Sequence, residues 1–122
     1  NYLLFRPYHL CSIETPLTAA QIVLYGESSG NSPTLISECI TVAKKDLKAG
    51  EILDGIGEYC YRACIELHSV ARKEGMLPVG LAKGARLRCD VKRDEVITYD
   101  MVDLEGDSIL YQLRKIQDRI LG

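Results

Sequence analysis

The side chains best suited to chemistry stand near the start of the chain, at Arg6, Tyr8 and His9. A guanidinium can bind a phosphate or carboxylate through paired hydrogen bonds. Arg6 and its neighbour Tyr8 are therefore candidate substrate-binding residues. The His9 imidazole titrates near neutral pH, which makes Arg6 and His9 the candidate catalytic residues. On a strand, Arg6 and Tyr8 would share one face and His9 would lie opposite. The interpretation we favour is structural, a polar cluster at the junction of two domains.

A second candidate site consists of Cys60, Cys64 and His68, which follow one another at steps of four residues. On a continuous helix these three side chains would share one face and could bind zinc. The segment around Cys60 is more typical of a strand, however, and no fourth ligand is evident nearby. We therefore predict no metal site and expect the cysteines to be small buried apolar side chains.

Arg86 and Arg88 alternate with apolar neighbours, so they project from one face of a predicted strand. Such a face is usually solvated, but the two guanidinium groups are also candidates for binding an acidic substrate. No dinucleotide-binding fingerprint accompanies them. Gly26 and Gly30 lie in a polar loop after a helix, whereas the fingerprint glycines lie between a strand and a helix. We expect no cofactor site in this chain.

The elements that must position these side chains fall into three zones, which cover residues 1–35, 36–104 and 105–122. The first zone contains one helix, which the pair Thr15 and Pro16 is predicted to begin as N-cap and first helical residue. Glycine is typical of helix ends, so Gly26 is predicted to end this helix. The turn-forming residues that follow, up to Pro33, predict a domain boundary.

The second zone is predicted to be rich in β-strands. Apolar residues alternate with polar ones in two runs, which are Ile40, Val42 and Leu47, then Leu87, Cys89 and Val91. Alternation of this kind indicates half-buried strands. Between the two runs, residues 65–73 are predicted to form a short helix closed by Gly75.

The third zone is a predicted C-terminal helix that Asp107 or Ser108 would cap. Its apolar side chains form one face and are Ile109, Leu110, Leu113, Ile116, Ile120 and Leu121. An apolar face of this width must be covered, either by the same fold or by a partner. Together the three zones predict an α+β fold.

Composition narrows the class of protein. The 122 residues are 47% hydrophobic and 26% charged, which is typical of a globular domain. A net charge of −2 argues against a nucleic-acid partner, and no apolar run has the roughly 20 residues needed to span a bilayer. Five cysteines without framework spacing suggest reduced thiols and a cytoplasmic location. Because the chain starts at Asn1, we expect it to be a fragment of a longer protein.

The most informative feature is an internal repeat. The segment Asp46–Leu53 recurs as Asp90–Ile97, and six of the eight pairs are identical or conservatively matched. In each copy, apolar residues flank a charged turn that contains Gly50 or Asp94. Both residue types tolerate the left-handed backbone that such turns require. We predict a pseudo-symmetric pair of hairpins.

The segments that carry the repeat, 42–53 and 80–102, resemble the two signatures of SAF domains, the antifreeze-like β-clip modules. The family usually has glycine where this chain has Asp94, a departure that the turn geometry tolerates. The resemblance implies a small β-clip domain over residues 36–104. In the SAF domains of sialic acid synthases, a surface comparable to that of Arg86 and Arg88 meets a neighbouring subunit's active site.

The flanking residues 2–10 and 14–16 resemble the junction in a homoserine-dehydrogenase-like group of oxidoreductases. Relatives in this group include reductoisomerases that act like deoxyxylulose-phosphate reductoisomerase. In such proteins an NAD(P)-binding Rossmann domain comes first and a SAF domain last. The resemblance implies that residues 1–35 end the catalytic domain, that NAD(P) binds upstream in the parent chain, and that the protein is a homo-oligomer.

Two functions from different classes follow. The leading hypothesis is an accessory domain that covers the active site of an NAD(P)-dependent oxidoreductase or builds its oligomer, without a complete catalytic site of its own. The alternative is a stand-alone module that binds a sugar acid or a protein partner through its SAF face. Ice binding is disfavoured, since both copies of the repeat carry charged turns.

Overall fold

The computed structural model describes residues 10–28, 30, 34–104, 106 and 108–121. The chain divides into two compact units, 1–33 and 34–122. Helices and small antiparallel sheets make up the second unit, so the predicted α+β class is confirmed. Within the described ranges, no helix is both long and apolar enough to cross a membrane.

Helix α1 spans Cys11–Tyr25 and belongs to the first unit. Its predicted start at Thr15 and Pro16 is wrong, because the carbonyl of Leu10 already accepts the first hydrogen bonds of the helix. Pro16 therefore lies inside the helix, where it has no N–H to donate. The predicted end is confirmed: Gly26 adopts a left-handed φ of 65° and caps the last turn.

Strands β1 (Ser37–Ala43) and β2 (Tyr61–Leu67) pair antiparallel along their whole length. Helix α2 (His68–Lys73) follows β2 directly. The predicted helix start at Ile65 is wrong, because residues 65–67 still pair with β1, and this pairing overrides their helical pattern. The predicted glycine stop is present at Gly75, which has a φ of 63°.

The elements that follow are α3 (Val79–Ala82), β3 (Arg86–Leu87), a 3-10 turn (Tyr99–Met101), β4 (Val102–Asp103) and α4 (Ile109–Leu121). β3 and β4 form a second antiparallel sheet. The predicted C-terminal helix is confirmed by α4, which begins directly after Ser108. β3 and β4 are much shorter than β1 and β2. Most of the other strand pairing in this region consists of isolated bridges.

The core of the second unit surrounds the end of β1. Four consecutive residues, Ile40 to Ala43, are buried, so the predicted half-buried alternation is wrong for this part of the strand. β1 is covered on both sides, and the buried Thr41 hydroxyl donates a hydrogen bond of 2.9 Å to the carbonyl of Leu77. Alternation also fails at Cys89, which is exposed in the bend after β3, while Leu87 is buried.

The two copies of the repeat, Asp46–Leu53 and Asp90–Ile97, bind each other; we call them the paired turns. Leu47 and Val91 exchange backbone hydrogen bonds of 2.8 and 3.0 Å. The N–H of Ala43 donates to Glu95, and the equivalent N–H of Leu87 donates to Glu51. The predicted pseudo-symmetry is therefore present, but the predicted hairpins are corrected. The two copies meet at Leu47 and Val91, and the outgoing apolar residues of each copy pair with residues just before the other copy.

The backbone of the paired turns explains their composition. Gly50 has a φ of 86°, and Asp94 at the equivalent position has a φ of 65°. Asp94 is the one described residue other than glycine with a positive φ. In each turn a glutamate side chain, Glu51 or Glu95, accepts a hydrogen bond of 2.8 Å from the N–H three residues earlier. The left-handed residue and the glutamate bond together fix each turn.

Candidate functional site

The candidates at the start of the chain, Arg6, Tyr8 and His9, lie outside the described residues. Their assignment as catalytic or substrate-binding groups stays a prediction.

The cysteines and the histidine at steps of four lie in different environments. Cys60 is buried just before β2, Cys64 is exposed on β2, and His68 is buried at the start of α2. The change from strand to helix between Cys64 and His68 removes the shared helical face that zinc would need. Among the described residues, no group of three His, Cys, Asp or Glu side chains could hold a metal ion. The expected burial of cysteine holds for Cys60 alone.

Cys60 faces the carboxylate of Asp54. The backbone N–H of Cys60 and that of Tyr59 donate to this carboxylate at 3.1 and 2.8 Å. Burial raises the pKa of Asp54, but these hydrogen bonds outweigh it and hold the pKa below its ordinary value. Burial raises the pKa of the Cys60 thiol, which favours its protonated form over the nucleophilic thiolate.

Arg86 and Arg88 both make contacts within the domain. Arg86 Nη1 donates a hydrogen bond of 2.8 Å to the carbonyl of Gly50, within the paired turns. Arg88 Nη2 lies 2.6 Å from Asp103 Oδ1, across the pair formed by β3 and β4. Both side chains are exposed, and a substrate acid would have to compete with these contacts.

A polar cluster, which we call the α4 anchor, joins three elements and consists of Glu38, His68, Arg114 and Asp118. Glu38 Oε2 on β1 lies 2.5 Å from Arg114 Nη2 on α4 and 3.5 Å from His68 Nδ1 on α2. Arg114 Nε also donates to Asp118 Oδ1 at 2.8 Å. The side chains of Glu38 and Arg114 are only 13% and 16% exposed. The anchor therefore fixes α4 against the sheet through largely desolvated charges.

The imidazole of His68 completes the anchor. Its side chain is 8% exposed, and neither ring nitrogen has a hydrogen-bond partner among the described residues. The nearest charged oxygen is that of Glu38, which the Arg114 guanidinium already neutralises. The anchor is thus a stabilising cluster whose one imidazole remains incompletely satisfied.

Tyr99 lies beside the anchor. Burial raises the pKa of its hydroxyl to about 12. Together with Glu38, Arg114 and Asp118 it lines a cavity of about 90 Å³. This volume lies well below the roughly 300 Å³ at which small-molecule pockets begin, so the cavity is part of the anchor's packing.

Helix α4 turns its polar side inward. Its partly buried residues are Tyr111, Arg114, Asp118 and Leu121. Its exposed large apolar residues are Ile109, Leu110, Leu113, Ile116 and Ile120. The predicted apolar face is therefore left largely uncovered in the described structure: Leu121 is partly buried, and Leu110 and Leu113 line neighbouring cavities. Sequence reasoning missed the anchor; its signal was the pair Arg114 and Asp118, four residues apart on one helix face.

Two larger cavities flank α4. One of about 360 Å³ is lined by Leu81, Lys83, Leu104, Ser108 and Tyr111, together with glycine and alanine backbone. The other, of about 400 Å³, adjoins it at Leu81 and Leu110 and is also lined by Pro78 and Gln117. Both are mostly apolar and open, so they can accept side chains of a partner. The first can also accept a small apolar molecule with one acidic group near Lys83.

Comparison with known proteins adds no assignment to this geometry. No known family profile matches the chain, and a search of curated proteins finds no match either.

Proposed function

We propose that this chain is the C-terminal accessory domain of an NAD(P)-dependent oxidoreductase that resembles homoserine dehydrogenase, and that its 36–104 region is a SAF-like β-clip. The observation that carries the proposal is the reciprocal bonding of the paired turns. The residues through which the chain resembles SAF domains, Asp46–Leu53 and Asp90–Ile97, are the ones that bind each other. The resemblance thus coincides with a structural unit.

The accessory role is supported by the surface that the domain leaves uncovered. The apolar side of α4 faces outward, and α1 has no buried residue along its described length. Helices with exposed apolar faces are typical of segments that dock onto a neighbouring domain or subunit. In this proposal an upstream Rossmann-type domain holds NAD(P), the present domain covers its active site or builds the homo-oligomer, and the whole acts in the cytoplasm.

The experiment that tests this proposal measures nicotinamide binding to two proteins, the present chain and the chain extended upstream as its gene encodes it. We expect NADH or NADPH fluorescence and calorimetry to show binding to the extended protein alone. The extended protein should oxidise NADPH or NADH with a small aldehyde substrate, and deletion of residues 36–122 should impair turnover. Cofactor binding by the present chain, or an upstream region without a strand–GxGxxG–helix unit, would contradict the proposal.

A second candidate function, a module for a sugar acid, is favoured by one observation. Among its described lining residues, the cavity of about 360 Å³ beside α4 has one cationic residue, Lys83, and two hydroxyl-bearing residues, Ser108 and Tyr111. This combination suits a small carboxylate with an apolar or hydroxylated body. Calorimetric titration with a panel of sugar acids tests it, with Lys83→Gln as the variant and Lys73→Gln, outside the cavity, as the control. Equal binding by both variants would count against this function.

A further inference from the structure

The uncovered side of α4 carries a regular apolar stripe. Its members, which we call the outer stripe, are Ile109, Leu113, Ile116 and Ile120. They follow one another at steps of four, three and four, the spacing of core positions in a coiled coil. Their exposed fractions are 72%, 55%, 49% and 73%. The stripe is therefore both correctly spaced for a second helix and open to receive it.

The anchor on the opposite side of α4 keeps the stripe outward. Arg114 is held by Glu38 of β1 and by Asp118, so the helix cannot rotate its apolar side inward without breaking a largely buried ion pair. Breaking such a pair by removing one partner is strongly unfavourable. The anchor thus holds the outer stripe in its outward orientation.

We propose that α4 pairs antiparallel with α4 of a second copy of this chain, about a two-fold axis that passes between Arg114 and Lys115. In this arrangement Ile109 faces Ile120 of the partner subunit, and Leu113 faces Ile116 of the partner subunit. Each of these layers occurs twice, because a two-fold axis makes the interface self-complementary. All four residues of the outer stripe are then used.

The residues that flank the outer stripe fit the same arrangement. Gln112 faces Arg119 of the partner subunit, and Leu110 faces Gln117 of the partner subunit. No like charges meet, although α4 carries three cations. Lys115 lies outside the contact, since its ammonium group is placed over the Tyr111 ring. A 13-residue helix is about 20 Å long, so we expect a modest interface.

The pairing states how the domain would build the oligomer in the proposed function. It rests on that function only in part. Dimerisation of this chain is measured without cofactor or substrate, and cofactor binding is measured without regard to oligomeric state. If this chain is monomeric and the protein extended upstream is an active oxidoreductase, the pairing alone is overturned. A dimer whose gene encodes no nicotinamide-binding unit would overturn the proposed function alone.

The first test uses analytical ultracentrifugation of the chain over a range of concentrations. We expect the wild-type chain to dimerise and Ile116→Glu to weaken dimerisation about 100-fold or more, because the interface would bury an unpaired charge. The control is Ile56→Glu, at an apolar residue that is 68% exposed away from α4. Far-ultraviolet circular dichroism checks that both variants fold. A wild-type chain that stays monomeric at several hundred micromolar, or equal weakening by both variants, overturns the proposal.

The second test determines the orientation of the helices. Gln112→Lys would place a lysine opposite the partner's Arg119, so it should weaken the antiparallel dimer. Adding Arg119→Glu should restore the dimer, because the introduced lysine would then face a glutamate of the partner. In a parallel pair, residues 112 and 119 do not meet, and the second substitution would give no rescue. Absence of rescue, with folding intact, overturns the antiparallel arrangement.

Discussion

Asp46 and Asp90 stand at the same position in the two copies of the repeat, and each carboxylate binds the turn of the other copy. Asp46 Oδ1 accepts the N–H of Arg93, and Asp90 Oδ1 accepts the N–H of Ala49, both at 2.9 Å. Lysine side chains reinforce both contacts: Lys92 Nζ lies 3.2 Å from Asp46, and Lys48 Nζ lies 2.6 Å from Asp90. The pseudo-symmetry therefore extends from the backbone to the side chains.

The first prediction is that Asp46→Ala and Asp90→Ala destabilise the domain by similar amounts. Each substitution removes an acceptor from one backbone N–H and one lysine, so each should lower the midpoint of thermal unfolding by a few degrees. The control is Asp103→Ala, whose carboxylate is 57% exposed, compared with 59% and 53% for Asp46 and Asp90. Its ion pair with Arg88 lies on the surface, where such pairs contribute little.

The double variant sharpens this prediction. Because both aspartates hold the same pair of turns together, Asp46→Ala with Asp90→Ala should lower the midpoint by less than the two single effects added. Strict additivity would show that the two contacts act independently and would argue against a single cooperative unit.

The second prediction concerns the left-handed residues of the turns. Gly50→Ala should destabilise the domain by about 1 kcal/mol, the lower end of the cost of a left-handed backbone for a residue with Cβ. No atom lies within 4 Å of the added Cβ, so the cost would come from the backbone alone. Asp94→Gly should change stability by less than about 0.5 kcal/mol, because backbone relief offsets the lost surface ion pair with Arg62. Urea unfolding measures both; a stabilised Gly50→Ala would contradict the expectation.

The third prediction is a loss of stability in acid. The N–H of Arg93 and the Lys92 side chain lower the pKa of Asp46, and the Lys48 side chain and the N–H of Ala49 lower that of Asp90. A carboxylate whose pKa is lowered in the folded state stabilises that state at pH values above 3.8, its ordinary pKa. This contribution is lost as the pH falls below 3.8 and through the lowered pKa. We expect circular dichroism at fixed urea to show unfolding on acidification below about pH 4.

The matched variant for the acid prediction is Asp46→Asn with Asp90→Asn. It removes the two titrating groups while it keeps side-chain shape, so its stability should fall less steeply over the same pH range. An unchanged slope would assign the acid sensitivity to other carboxylates.

The fourth prediction concerns the α4 anchor. Arg114→Met should destabilise the domain by about 3 kcal/mol, the lower end of the cost of breaking a buried ion pair, because it leaves the Glu38 carboxylate largely buried beside His68. The control is Lys73→Met, at an exposed residue on α2, which should change stability by less than about 0.5 kcal/mol. Adding Glu38→Met to Arg114→Met should recover much of the loss. Similar values for Arg114→Met and its control would contradict the anchoring role.

The fifth prediction is an alkaline transition at Tyr99. Burial raises the pKa of this hydroxyl from 10.0 to about 12. The stability that the protonated phenol contributes is present below pH 10 and is lost as the pH rises through about 12. A titration of phenolate absorbance should lose its most alkaline step in Tyr99→Phe and keep it in Tyr59→Phe, a control at an exposed tyrosine. Loss of the same step in both variants would contradict the assignment.

The sequence predicted the features that depend on neighbouring residues. Glycines end α1 and close the segment after α2, because a left-handed residue is a local requirement. The repeated turn was found for the same reason, and Asp94 carries the left-handed conformation that its position in the repeat implies.

Features that depend on distant residues were missed or misplaced. The helix after β2 begins at His68 and not at Ile65, because pairing with β1 holds Ile65 in a strand. The partner of each repeat copy is the other copy, which no local pattern specifies. The same holds for Arg114, whose inward orientation depends on Glu38, a residue far away in the chain.

The mutual bonding of the paired turns has a consequence for folding. Residues near 47 and 91 must meet before the hydrogen bonds between the two turns can form, so we expect closure of a long loop to contribute to the folding barrier. At high concentration during refolding, the same complementarity would let one chain supply a turn to another, so slow dilution favours the unswapped fold.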